Sequence, residues 1–180
     1  MGFFGLGQQR RQRRLLADRL YAKAVAGARQ PMFYSHLQVP DSVDGRFDLL
    51  VLHVFLLLHR LQGDGPGSQL LAQSLFDLMF ADMDRSLREM GVSDMSVGKR
   101  IKDMARAFYG RIDAYDAVLD DKVGLRQALS RNLYRGALVS EVSLAALAAY
   151  VQTQVATLAA RDLATLTDAD ATCFAPLEAP

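Results

Sequence analysis

The sequence predicts an all-α fold, a single bundle of about six to seven helices around a central apolar helix at about residues 42–62. Three observations lead there. Apolar residues recur at spacings of three and four through most of the 180-residue chain. No stretch shows the alternation of period two that marks a half-buried strand. One segment, "FDLLVLHVFLLLHRL", is apolar nearly all round, as suits a helix with others packed about it.

The elements follow in order. From about Gln9 to Ala28 a helix carries Leu16, Leu20 and Ala24 on one face, with arginines crowding its start; Pro31 stops it. "PMFYSHLQVP" reads as a loop or a short helical turn. Asp41 or Ser42 then offers an N-cap, and Asp44 and Asp48 place negative charge near the positive end of the helix dipole. The central helix ends at Gly63, where "GDGPG" is the clearest loop in the chain. After Ser68 a long helix reaches Glu89, with Leu71, Leu75, Leu78, Met79, Met83, Leu87 and Met90 in register. A second runs from about Val97 to Leu119 with the stripe Val97, Ile101, Met104, Phe108, Ile112, Tyr115 and Leu119. A shorter helix covers Gly124 to Tyr134, and an Ala-rich one sets Leu144, Leu147, Val151, Val155 and Leu158 on one side. Past Leu166 the acidic "TDADATCFAPLEAP" is expected to fray. The organisation is therefore a basic arm over 1–19, a helical domain over 20–166 and a flexible acidic tail over 167–180.

Composition narrows the class. Hydrophobic residues make up 51% and charged ones 23%, an ordinary globular mix in one domain. The longest apolar run, Leu49 to Leu58, is broken by His53 and falls short of the roughly 20 residues that span a bilayer, so no transmembrane helix is expected. The lone Cys173 has no disulfide partner, which fits a reducing compartment, the cytoplasm. Charge is uneven. The first 30 residues hold seven basic side chains against Asp18, and the remaining 150 carry a net −5. That is a basic arm on a mildly acidic body, suited to an anionic surface. The arm lacks the serines usual in a transit peptide, since no Ser or Thr precedes Ser35, and it reads as part of the mature protein.

The stretch "EMGVSDMSVGKRIKDMA" tests whether to look for an enzyme. A phosphate loop needs G-x-x-x-x-G-K-[ST] between a strand and a helix. Counting back from Gly98, the first glycine should be Ser93; Arg100 stands where the magnesium-binding hydroxyl belongs, and a helix precedes. A helical corner accounts for each residue better: Gly91 ends one helix, and Ser93, Asp94 or Ser96 caps the next. His53 and His59, six apart, fall on different faces and form no zinc pair. A hydrogen-bonded core histidine is the simpler reading of His53, with haem or quinone ligation as the alternative. Asp77, Asp82 and Asp84 lack the Glu-x-x-His partners of a di-metal bundle, and Asp84 with Arg88 reads as an i,i+4 surface pair. No nucleophile has a base and orienter in sequence. The expectation is a non-enzyme without cofactor or metal.

Two binding features remain on the body. Lys99, Lys102 and Arg106 form a basic stripe, joined by Arg100 and, before the corner, by Arg85 and Arg88. Met79, Met83, Met90, Met95 and Met104 cluster around the same corner; flexible thioethers suit core and also surfaces that accept varied apolar partners. The arm is the stronger signal. Phe3, Phe4 and Leu6 precede Arg10, Arg11, Arg13 and Arg14, a pattern that attracts an anionic membrane or ribosomal RNA alike.

Finally, "VPDSVDGRFDLLVLHVFLLLHRL" (Val39–Leu61) followed by "LFDLMFADMDRSLREMGVSDMSVGKRIKDMARAFYGRIDAYD" (Leu75–Asp116) resembles the ubiquinol–cytochrome c chaperone family. The similarity runs from about Leu20 to Tyr150 and leaves out the arm and the tail. The resemblance implies a helical, non-enzymatic assembly factor that binds newly made cytochrome b near the ribosomal exit and helps build ubiquinol–cytochrome c reductase. It offers no catalytic residues. The expected client and ribosome surface is Arg85, Arg88, Met95, Lys99, Arg100, Lys102 and Arg106. The expected docking residues are Phe3, Phe4 and the four arm arginines, with the protein cytoplasmic or peripheral on the inner membrane face. The competing reading is a haem or small-apolar-ligand binder at His53. A nucleic-acid module would need a basic body, against the net −5, so no DNA partner is expected.

Overall fold

The computed structural model describes residues 3–177, with side chains from Gly7 onward. The helices are α1 (Phe3–Ala28), α2 (Met32–Ser35), α3 (Val43–Leu61), α4 (Pro66–Glu89), α5 (Asp94–Asp116), α6 (Lys122–Asn132), α7 (Glu141–Ala159) and α8 (Leu163–Thr167). No strand occurs among the described residues. The expected all-α bundle with a central helix is what forms.

α3 is that centre. Ser42 caps it, its Oγ accepting from the Gly45 N–H at 3.1 Å, and Asp44 complements the dipole in the first turn. From Asp48 to Leu57 every side chain is buried. α1 lies against it through Leu20 and through Ala17, Ala24 and Ala28, whose small side chains allow a close approach. Gly27 marks the tightest point, since a Cβ there would sit 2.8 Å from Cδ2 of His53. α1 also runs parallel to α4: Arg13 donates to Ser74 Oγ (3.2 Å) and Tyr21 to Asp82 (2.8 Å), each pair 61 residues apart.

α4 and α5 form an antiparallel hairpin held by edge-to-face rings, Phe76 with Phe108 at 5.4 Å and Phe80 with Phe108 at 5.7 Å. Between them Gly91 takes φ +81°, and the Val92 and Gly91 N–H groups donate back to Leu87 (3.0 Å) and Arg88 (2.9 Å). This pairing is a Schellman motif, the ordinary glycine-ended helix stop. The stretch that raised the phosphate-loop question is a helical corner.

α7 is long and apolar enough, by length and composition, to cross a membrane. Here Leu144, Leu147, Val151 and Leu158 pack into the bundle beside α3 and α6.

Several boundaries differ from the expected ones. α1 starts at Phe3 rather than near Gln9, α4 begins with Pro66 in its first turn, and α5 ends before Leu119, which is buried in the following turn. The larger correction is the tail. Rather than fraying after Leu166, it folds back on the bundle. Lys23 Nζ donates to the carbonyls of Leu166 (2.8 Å) and Asp168 (2.6 Å). Gln154 holds Ala175 from both sides, accepting from its N–H (2.8 Å) and donating to its carbonyl (3.1 Å). Phe174 buries its ring edge-on against His53 at 4.9 Å. Two apolar residues, Cys173 and Phe174, suffice to anchor an otherwise polar segment because backbone groups receive their bonds from side chains of α1 and α7. Residues 178–180 lie outside the described residues.

Candidate functional site

His53 is closed to ligands. Nδ1 lies 2.8 Å from the Leu49 carbonyl, which can only accept, so Nδ1 carries the proton and Nε2 accepts from the Tyr150 hydroxyl at 3.0 Å. Phe33 and Phe174 stack edge-on against the ring. Burial, only partly offset by the bond to Leu49, lowers its pKa to about 4 and holds the imidazole neutral. Both nitrogens are committed, and His53 lines none of the hollows described below. The haem alternative finds no support. His59 pairs instead with Asp116 at 2.8 Å.

The open region lies at the other end of α3. A groove runs between the C-terminal ends of α1 and α4, α2, the start of α3 and the first half of α5. It comprises two adjoining hollows of about 950 and 1050 Å³. Both share Val43, Phe47, Leu87, Met90 and Met104, a continuous apolar floor. Val43 and Met90 are well exposed, 68% and 56%, although apolar. Open apolar side chains gathered on an otherwise well-packed bundle make this groove the candidate binding surface.

The methionines divide. Met79 is core, while Met83, Met90 and Met104 line the groove. Met95, 94% exposed at the tip of the corner, lies outside the groove walls. Of the seven residues expected to form the client surface, Arg100 enters the groove wall. Arg85 pairs with Asp82, Arg88 with Asp84 (2.7 Å) and Asp94, and Arg106 with Asp103 (3.1 Å). Lys99 and Lys102 are exposed on α5. The structure does not bring these seven together as one surface.

Under the groove lies a charge cluster that the sequence does not reveal. Asp48, fully buried, is clamped by Arg111 at 2.8 Å and Arg135 at 2.6 Å, and Arg135 also reaches Asp44 at 2.8 Å. Burial pushes the Asp48 carboxyl upward, and the two guanidiniums oppose that shift. Arg135 takes a left-handed backbone conformation, φ +53°, beside Gly136. The clamp binds the loop after α6 to the first turns of α3 and so closes one end of the groove. In sequence, Asp48 reads only as a dipole charge, and nothing in periodicity links it to Arg111 or Arg135. Phe47, Val43 and Arg29 likewise carry no sequence signal that joins them in one groove; an apolar Val at an exposed helix start is the one cue.

The arm stands apart from the groove. Arg10, Arg11 and Arg14 are exposed on α1, whereas Arg13 is half-buried against Ser74. The side chains of Phe3 and Phe4 lie outside the described residues.

Comparison with known proteins gives concordant findings. The family model described as Ubiquinol-cytochrome C chaperone matches residues 35–173, so it reaches past the expected limit at Tyr150 into the packed tail. The chain is 29% identical over 157 residues to the ubiquinol-cytochrome c reductase complex assembly factor 1 of Mus musculus, and equally to that of Homo sapiens. Each alignment covers 86% of this chain, which spans about half the length of those relatives (53% and 52%). The crystal structure of the Cbp3 homolog from Brucella abortus superposes with a TM-score of 0.82 at 38% identity, over 97% of both chains.

Proposed function

This chain belongs to the ubiquinol-cytochrome C chaperone family, and on that footing we propose that it is a non-enzymatic assembly chaperone for ubiquinol–cytochrome c reductase. Its client is newly made cytochrome b, whose apolar segments need cover before they are built in. The observation that carries this reading is the open apolar groove, floored by Val43, Phe47, Leu87, Met90 and Met104, beside a core whose one histidine is fully engaged. Unbranched thioethers adapt to irregular apolar partners, so a Met-lined floor accepts segments of varied shape. Exchange with solvent rather than a nucleotide cycle releases the client. The corner that resembles a phosphate loop is occupied by helix-stop hydrogen bonds.

The exposed arginines of the arm support a location for this activity. Arg10, Arg11 and Arg14 project from α1 without acidic partners among the described residues, and each basic side chain near an anionic bilayer contributes about 1 kcal/mol. We place the protein in the cytoplasm, docked peripherally by this arm on an anionic surface close to where the client emerges.

Photo-crosslinking in native cells tests both parts. Probes replace Met90 in the groove, Arg11 in the arm and Val123, which is exposed on α6. Met90 is expected to trap cytochrome b, Arg11 to trap membrane or ribosomal components, and Val123 to trap neither. Equal trapping at all three positions, or no cytochrome b at Met90, overturns the groove assignment. Met90→Lys is expected to abolish client trapping while moving stability by no more than about 0.5 kcal/mol.

A further inference from the structure

The charges around the groove are matched almost completely, and the mismatch is informative. Asp41 pairs with Arg46, Asp44 with Arg135, Asp48 with Arg111, Asp82 with Arg85 and Asp103 with Arg106. Each acid in or beneath the groove thus has its own arginine. Two lining arginines are left over. Arg29, at the end of α1, stands in one hollow, and Arg100, in the second turn of α5, stands in the other. Neither has an acidic partner among the described residues. The groove therefore has an apolar floor and an uncompensated positive charge in each hollow.

Resting on the groove reading above, we infer that the occupant is a helical peptide segment, apolar on the face it buries and bearing a carboxylate toward each of Arg29 and Arg100. The chemistry supports this over a neutral or basic segment. A guanidinium binds a carboxylate through two parallel hydrogen bonds, and the partly apolar surroundings strengthen the pair relative to open water. A lysine-bearing segment would meet two unpaired cations and lose contact on both sides. Like charges set against each other reject partners more strongly than complementary ones attract them. The groove thus selects by charge what its methionines accept by shape. A helix laid in such a groove contributes anchors at i, i+3, i+4 and i+7, matching a floor drawn from three different helices.

The test uses the whole protein and two synthetic helices of the same Leu-Ala face, one flanked by Glu and the other by Lys, with binding read by fluorescence anisotropy. The wild type is expected to prefer the Glu helix. In the double reversal Arg29→Glu/Arg100→Glu, binding of the Glu helix should weaken about tenfold, two surface pairs being lost and replaced by repulsion. The preference should then invert toward the Lys helix. Both arginines are exposed and make no ion pair among the described residues, so the variant is expected to fold, which circular dichroism checks. Val43→Lys with Met90→Lys separates the two claims. If that variant loses both helices while the charge reversal changes neither, the groove stands and the carboxylate inference falls. If it loses neither helix, the groove reading itself falls and takes the inference with it. Arginine-dependent binding of phosphatidylglycerol vesicles without binding of either helix also overturns the proposal, and assigns the groove to lipid.

Discussion

At His53, in the middle of α3, both ring nitrogens are bonded within the bundle and three aromatic rings surround the imidazole. At Met90, where α4 turns into α5, apolar side chains stand open to water and Arg29 and Arg100 have no acidic partner among the described residues. The two regions share a helix, since α3 runs from Val43 in the groove to His53 in the core. The difference between them is where function is to be sought. His53 is a buried polar group whose hydrogen bonds are satisfied, and removing its partner is costly. At the surface water satisfies polar groups, so it is the gathering of several open apolar side chains in one groove that points to a partner outside the chain.

The Asp48 clamp sits at the border between the two regions and gives the largest expected effect. Asp48→Ala leaves the largely buried Arg111 without a counter-charge, while Arg135 retains only Asp44. Breaking a buried pair from one side costs about 3–5 kcal/mol, read as a shift in the urea midpoint. Asp48→Leu combined with Arg111→Met removes the pair as a unit and should recover most of that loss, because Arg135 keeps Asp44. A single loss below about 1 kcal/mol would mean that the clamp is effectively part of the open surface, and the contrast would move inward.

The next effect tests how dry the core is. His53 titrates at about 4 in the fold, against 6.5 for the free side chain. Between these values the unfolded chain binds a proton that the folded chain does not, so stability is complete above pH 6.5 and is lost as pH falls toward 4. The depression corresponds to about 3 kcal/mol. The difference between wild type and His53→Gln isolates this from the carboxylates, which titrate in both proteins. The wild type should lose about that much more stability than the variant between pH 7 and pH 4. Parallel curves would show that His53 protonates in the fold, hence that water reaches it.

The two regions were not equally legible in the sequence. α3 could be placed at the centre because a helix apolar on every side has no solvent face to offer. Gly91 could be read as a helix stop because the neighbouring residues fail each requirement of a phosphate loop. The clamp could not be read, since Asp48 meets Arg135 across 87 residues and no local pattern records that meeting. The packed tail is hidden in the sequence for a related reason: Gln154 and Lys23 hold its backbone through side chains, which leaves no periodicity to see. The methionines were half legible. Helical spacing puts Met79 and Met83 on one face, but only the neighbours decide that Met79 is covered and Met83 lines the groove.

The smallest expected effect lies at the corner itself, where two glycines of one short stretch should respond with opposite signs. Gly91, at φ +81°, ends α4 in a conformation that an L side chain adopts only with strain. Gly91→Ala should therefore cost about 1 kcal/mol. Gly98 lies inside α5, with nothing within 4 Å of an added Cβ. Gly98→Ala should stabilise by about 0.5–1 kcal/mol, by lowering the entropy of the unfolded chain and raising helix propensity. Thermal melts of the two variants read both signs. Leu87 and Val92, which flank the Gly91 turn, also line the groove, so Gly91→Ala should weaken helix-peptide binding where Gly98→Ala does not. Destabilisation by both substitutions would mean that Gly98 is needed as a glycine, as a phosphate-cradling loop requires and a helix interior does not.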